Sequence, residues 1–254
     1  MTFWILWKES LRYIFRSRLP LLLLVFSFFL HYVGVSAFKE SNWYSNGIIS
    51  VMGPREGMFV SIYLTLFMGV FLAAIYGVWM VPYFHQGERS LMTFVLPVSK
   101  WWYPLVYSLS FLLLILLEYF ILFGTFTWVF GKSALLQPRF SWGAVTACLC
   151  LVFLVVHFLL YFFSAFSLLL GHMTTLFLAA GSFIALQVAG ALFRLGLDHK
   201  AYQVYRWMPP LGELIFSLKN TFSQGIIPYS QFVSWTLWTV IGILFFRWLI
   251  RHPR

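Results

Sequence analysis

The chain has 254 residues, of which 61% are hydrophobic and 9% charged, with a formal net charge of +10. A soluble globular domain is roughly 45–50% apolar and about 25% charged, so composition excludes an ordinary soluble domain, and the mean hydropathy of +0.86 points to a bilayer. The basic residues sit beside apolar runs rather than on one polar face, which argues for anionic lipid neighbours and against nucleic acid.

The apolar runs are continuous, whereas transmembrane barrel strands alternate apolar and polar over about ten residues. The expected fold is therefore an all-α membrane protein. Its first element is residues 2–17. Lys8, Arg12 and Arg16 recur every four residues on one stripe, and Trp4, Trp7, Leu11, Ile14 and Phe15 follow helical spacing on another face. A basic stripe opposed by Trp, Phe and Leu is the pattern of a helix lying in the membrane interface. Pro20 suits the first turn of the next helix and marks a bend into the bilayer. A basic start before an apolar run also resembles a signal peptide, but this run exceeds the usual apolar core of about 7–15 residues, so it is read as an uncleaved span.

Six spans are expected, at about 19–38, 58–82, 102–130, 142–170, 174–193 and 232–250. Each is long enough to cross about 30 Å of hydrocarbon as a helix. Residues 39–57 are polar and rich in Gly, Pro and Asn, and are read as a loop. Residues 83–100 form a charged, mixed segment. In the stretch 194–231 the breakers Pro209, Pro210 and Pro228 bracket Gly212 to Phe222, a short amphipathic or re-entrant helix. Cys148 and Cys150 lie in one apolar run and are read as small buried thiols, since side chains two apart on a helix do not face each other. No internal repeat or low-complexity tract is visible, and the whole chain, 1–254, reads as one transmembrane domain.

With the N-terminus in the cytoplasm the inner segments would hold nine of the 17 basic residues and the outer segments eight, so the total decides nothing. The residues nearest the first span usually dominate. Lys8, Arg12, Arg16 and Arg18 therefore place the N-terminus inside, and six spans bring the C-terminus back to the same side.

No catalytic motif appears. Gly131-Lys132-Ser133 mimics the end of a P-loop, but the glycine that motif requires five residues before Gly131 is Phe126. No metal site is expected either, because His31 and His157 lack further ligands at i+3 or i+4; both are read as buried imidazoles. Glu118 is the one acidic residue deep inside an expected span. An ionised carboxylate there is costly and faces a bundle interior, a partner or a wet cavity. It is either a residue of a translocation path or a protonated, hydrogen-bonded structural carboxyl at a helix contact.

The segment after the second expected span carries the strongest signal. Glu88-Arg89-Ser90-Leu91, then Phe94-Val95-Leu96, then Pro97-Val98-Ser99-Lys100 read as a short helix at the cytoplasmic face, with Leu91, Phe94 and Val95 able to dock while Glu88 and Arg89 offer charged contacts. At these residues the chain resembles the permease subunits of the ABC type-2 exporter family, in which an acidic-Arg pair, a Leu-rich stretch and Pro-Val-Ser-Arg/Lys stand between spans two and three. Ser90 replaces the usual Gly, and Thr93 stands where an acidic residue is common.

The resemblance extends to the layout of an elbow helix followed by six spans. It implies an ATP-binding-cassette export permease that pairs with a second permease copy, as homodimer or heterodimer, and with separate ATPase subunits. ATP and Mg would be held by those ATPases, with no cofactor on this chain. Glu88, Arg89, Leu91 and Phe94 would contact the ATPase, and the location would be a prokaryotic inner membrane. The alternatives are an ion-coupled secondary transporter, which would want more intramembrane acid–base groups, and a membrane assembly factor that transports nothing.

Overall fold

The structure is a computed structural model, and it describes residues 2–16, 18–40, 42–45, 48–51, 53–80, 102–135, 141–177, 180–181, 211–225 and 227–251. The first helix, α1, covers Thr2–Arg16, and α2 covers Arg18–Glu40. Two short strands follow, β1 at Asn42–Ser45 and β2 at Ile48–Val51, paired antiparallel with Asn42 opposite Val51 and Ser45 opposite Ile48. Next come α3 at Pro54–Ile75 and a π-helical turn at Tyr76–Met80. The remaining helices are α4 at Trp102–Phe130, the single turn α5 at Lys132–Leu135, α6 at Trp142–Leu170, α7 at Leu211–Gln224 and α8 at Tyr229–Arg251.

Five of these are long and apolar enough to cross a membrane: 18–37, 54–79, 102–130, 142–170 and 229–250. The chain is an integral membrane protein. The third and fourth spans start and stop where the sequence reading placed them, because both ends carry local signals. Ser141 caps α6 by accepting from the Ala144 N–H at 3.3 Å. Gly131 ends α4 at φ 82°, with its N–H bonded to the Thr127 carbonyl at 2.9 Å, a left-handed position that glycine takes without a Cβ penalty. The Gly-Lys-Ser triplet is thus a helix exit.

Three expectations need correction. The segment 39–57 is not a plain loop: it holds the end of α2, the hairpin and the first turn of α3. The missed signals were Asn46-Gly47 between two apolar runs, a strong hairpin dipeptide, and Pro54 at the first helical position, with the Glu56 side chain reaching back to the Gly53 N–H at 2.9 Å. The second span therefore begins four residues before Met58. Cys150 is exposed, while Cys148 is buried with its thiol facing the Leu218 carbonyl at 3.7 Å. The expected span 174–193 lies largely outside the described residues; 172–177 and 180–181 are helical.

Helix α6 is the centre of the bundle. It packs against α3, the π turn, α7 and α8, while α2, α3 and α4 pack on one another and α1 lies on α4 and α2. Lipid tails are as apolar as leucine, so close backbone approach and hydrogen bonds hold membrane helices together more than hydrophobicity does. Both devices are present. A Cβ on Gly69 of α3 would lie 2.8 Å from Cγ2 of Val156 on α6, so only glycine permits that approach. Tyr161 on α6 donates to the Pro104 carbonyl at 2.8 Å and is bonded to Ser108, both on α4. Thr239 on α8 donates to the Leu154 carbonyl at 3.2 Å. Outward faces carry Leu22, Val25, Phe29 and Val33 on α2 and Val233, Leu237 and Leu244 on α8, the residues a lipid-facing surface needs.

Candidate functional site

The described core holds one polar cluster of several side chains drawn from three spans around Glu118. Ser27 and His31 stand four apart on α2 and Ser61 and Thr65 four apart on α3, so each pair shares a helix face. Glu118 comes from the middle of α4. All five have 0% exposure. The Ser27 hydroxyl donates to Oε1 of Glu118. The Nδ1 of His31 faces the Ser27 carbonyl at 2.9 Å and its hydroxyl at 3.2 Å. On the other side of the ring, Nε2 faces the Ser61 carbonyl and the Thr65 hydroxyl, each at 3.1 Å. Thr65 donates in turn to the Ser61 carbonyl at 2.9 Å.

This arrangement answers the cost of placing polar groups in hydrocarbon. Each unsatisfied group there costs several kcal/mol, and here nearly every member has a partner on another helix. Within the cluster the exceptions are Oε2 of Glu118 and the Ser61 hydroxyl, which have no hydrogen-bond partner among the described residues. Among the described residues no Lys or Arg pairs with the carboxyl: the one ion pair there is Glu9–Arg12 at 2.7 Å, on α1. Nor do the described residues contain three or more His, Cys, Asp or Glu placed to hold a metal ion.

Glu118 was legible in the sequence as a lone buried acid, and His31 as a buried imidazole. Ser27, Ser61 and Thr65 were missed as its partners. A signal existed, since each pair repeats at i, i+4 inside an apolar run, but nothing local says that the two faces meet. His157 does not join the cluster. It lies between the rings of Phe153 (4.1 Å) and Phe111 (5.5 Å).

The expected membrane-interface helix is α1. Leu6, Ser10 and Ile14 form its buried stripe, with Phe3 and Trp7 at the edges, and Lys8, Arg12 and Arg16 are exposed. Trp4 and Phe15, assigned to the apolar face with them, are exposed too. They lie between the protein contact and the basic stripe, where a helix at the interface meets lipid. Ser10 was not foreseen. It donates to Ser110 of α4 at 2.7 Å and shares a hydrogen bond with the Tyr76 hydroxyl of the π turn at 3.1 Å. Phe3 meets Trp102 with ring centroids 5.2 Å apart. The helix therefore touches the chain just before and just after residues 81–101. Glu88, Arg89, Leu91 and Phe94 fall inside that stretch, outside the described residues.

Compared with protein-family models, curated proteins and solved structures, the chain finds no match in any of the three.

Proposed function

We propose that this chain is the permease subunit of an ATP-binding-cassette exporter, energised by separate ATPase subunits that hold ATP and Mg. The observation that carries the reading is the position of α1. It is an amphipathic helix outside the bundle core, fastened by Ser10 to the π turn and to α4. Those two elements flank residues 81–101, so a push on that segment reaches α3 and α4 directly. Residues 88–100, which resemble the coupling segment of type-2 export permeases, lie there.

The supporting layout is a short helix, α7, packed on α6 and α3 before the final span. In this reading the chain has six spans with both termini in the cytoplasm of a prokaryotic cell. It works beside a second permease copy, and cargo moves along a path between the two. ATP binding shifts the pair between states only to the extent that the ATPases bind one state more tightly.

The test is purification of the tagged chain in mild detergent from its native membrane, with mass spectrometry of what accompanies it. A stoichiometric chain carrying its own P-loop is the expected result. A permease that comes down alone or only with itself in several detergents, and that moves solute under an ion gradient without ATP, overturns the reading.

A further inference from the structure

The hydrogens of the cluster between α2, α3 and α4 can be counted. The Ser27 hydroxyl has one, and it goes to Oε1 of Glu118. The Thr65 hydroxyl has one, and it goes to the Ser61 carbonyl. With both spent, only acceptors remain around His31: the Ser27 carbonyl and hydroxyl oxygens at Nδ1, and the Ser61 carbonyl and Thr65 hydroxyl oxygens at Nε2. A neutral imidazole carries a single ring hydrogen. Satisfying both nitrogens takes two.

The second hydrogen has a source within the cluster. Neutral Ser27, Thr65, His31 and Glu118 bring one exchangeable hydrogen each, and four hydrogens fill the four donor positions when the carboxyl hydrogen has passed to His31. The path for that transfer is the Ser27 hydroxyl, which contacts both Nδ1 and Oε1. Run backwards, Ser27 takes the Nδ1 hydrogen and passes its own to Glu118, leaving both partners neutral. Either way the cluster is uncharged as a whole. Removing the hydrogen leaves a net negative charge among apolar helices, with a bare ring nitrogen against a carbonyl, a state the surrounding helices do not stabilise.

We propose that Glu118, Ser27 and His31 form a binding site for one proton, shared between the carboxyl and the imidazole across the serine hydroxyl. Oε2 of Glu118 is buried and has no hydrogen-bond partner among the described residues, so that oxygen is free to carry the proton. Among the described residues no other titratable side chain faces the cluster. From α3 it is faced by Ser61 and Thr65, with Tyr63 on the other side of that helix. From α4 it is faced by Glu118, whose neighbour Tyr119 commits its hydroxyl to the Leu149 carbonyl at 2.7 Å. Tyr32 of α2 is exposed, Arg18 and Lys39 sit at the ends of α2, and Lys8, Arg12 and Arg16 of α1 are exposed. The site stands whether or not the energy for transport comes from ATP, so its failure and the failure of the exporter reading are separate results.

The experiment is infrared difference spectroscopy of the full chain in lipid nanodiscs, stepped between acid and neutral pH, on wild type, Glu118→Gln and Ser27→Ala. The chain has 7 Asp and Glu residues in all, so the wild-type minus Glu118→Gln spectrum isolates the buried carboxyl. The expected result is a reversible, pH-dependent carboxyl band, whether of the protonated or the ionised group, that is absent from Glu118→Gln. In Ser27→Ala, which keeps the carboxyl and loses the bridge, the band shifts in frequency and its midpoint moves by about one pH unit or more, the size of a hydrogen bond to a charged group. The proposal is overturned if no carboxyl band is lost in Glu118→Gln, or if Ser27→Ala leaves frequency and midpoint unmoved. It is overturned equally if sodium at fixed pH, rather than pH, moves the band, since the ligand would then be a metal cation.

Discussion

Arg55, in the first turn of α3, donates to the main-chain carbonyls of Phe222 at 3.0 Å and Ser223 at 2.5 Å, at the far end of α7. The last carbonyls of a helix have no partner within it and carry its negative dipole end, so a guanidinium is well matched to them. The same side chain lies 5.9 Å from the Phe222 ring centroid, and Phe222 meets Phe59 of α3 with centroids 5.8 Å apart. One exposed arginine thus ties the end of this short helix to the start of α3.

Arg55→Ala should loosen α7 while leaving the spans intact. Charge-assisted bonds are worth about 1.5–3 kcal/mol when buried; this pair is partly exposed, so a loss of about 1 kcal/mol is expected. Hydrogen exchange read by mass spectrometry should show faster exchange over residues 211–224 and little change in α6. Unchanged protection of α7 would mean that packing on α6 alone holds it.

Ser10→Ala should release α1 from the bundle. It removes one partner each from the buried Tyr76 and Ser110 hydroxyls, which keep each other, at a cost of about 0.5–1.5 kcal/mol. Because the three hydroxyls act as one network, adding Ser110→Ala should cost less than the two single changes summed. Thermal unfolding midpoints in detergent for the single and double variants decide this, and strict additivity would argue against a shared network.

Gly69→Ala should destabilise the α3–α6 contact by overpacking, typically about 1–3 kcal/mol, because the added Cβ falls 2.8 Å from one methyl of Val156 and 3.3 Å from the other. Val156→Ala removes both methyls and should restore most of the loss in the double variant. Failure of that rescue, measured as the fraction of monodisperse protein surviving heating, would place the strain elsewhere.

Glu88→Ala bears on the exporter reading. It should lower the transport-coupled ATPase activity of the assembled complex severalfold while the ATPases still co-purify with the permease. Coupling equal to wild type would remove the contact role assigned to Glu88, Arg89, Leu91 and Phe94.

Much of the architecture was legible because a bilayer imposes a strong local rule: backbone groups must be satisfied within the segment, so a continuous apolar run of about 20 residues becomes a helix. The ends of α4 and α6 were legible for the same local reason, through Ser141 and Gly131. The start of α3 was equally local, in Pro54 and Glu56, but was read as part of a loop. The hairpin was missed because polar and Gly-rich composition outweighed the Asn46-Gly47 signal.

The sequence by itself determined that this is a helical membrane protein, where most spans lie, that α1 is amphipathic, and that Glu118 is an acid in a place that demands a partner. The tertiary structure decided who the partners are. Ser27 and His31 on α2 and Ser61 and Thr65 on α3 do not stand out along the chain, and with Glu118 on α4 they form a site only because three helices turn those faces together. In the same way Arg55 meets Phe222 across 167 residues. Local periodicity says which face of a helix is polar. Which helix that face meets is set by the packing of the whole bundle, through close approaches such as Gly69 on Val156 and hydrogen bonds between residues distant in sequence.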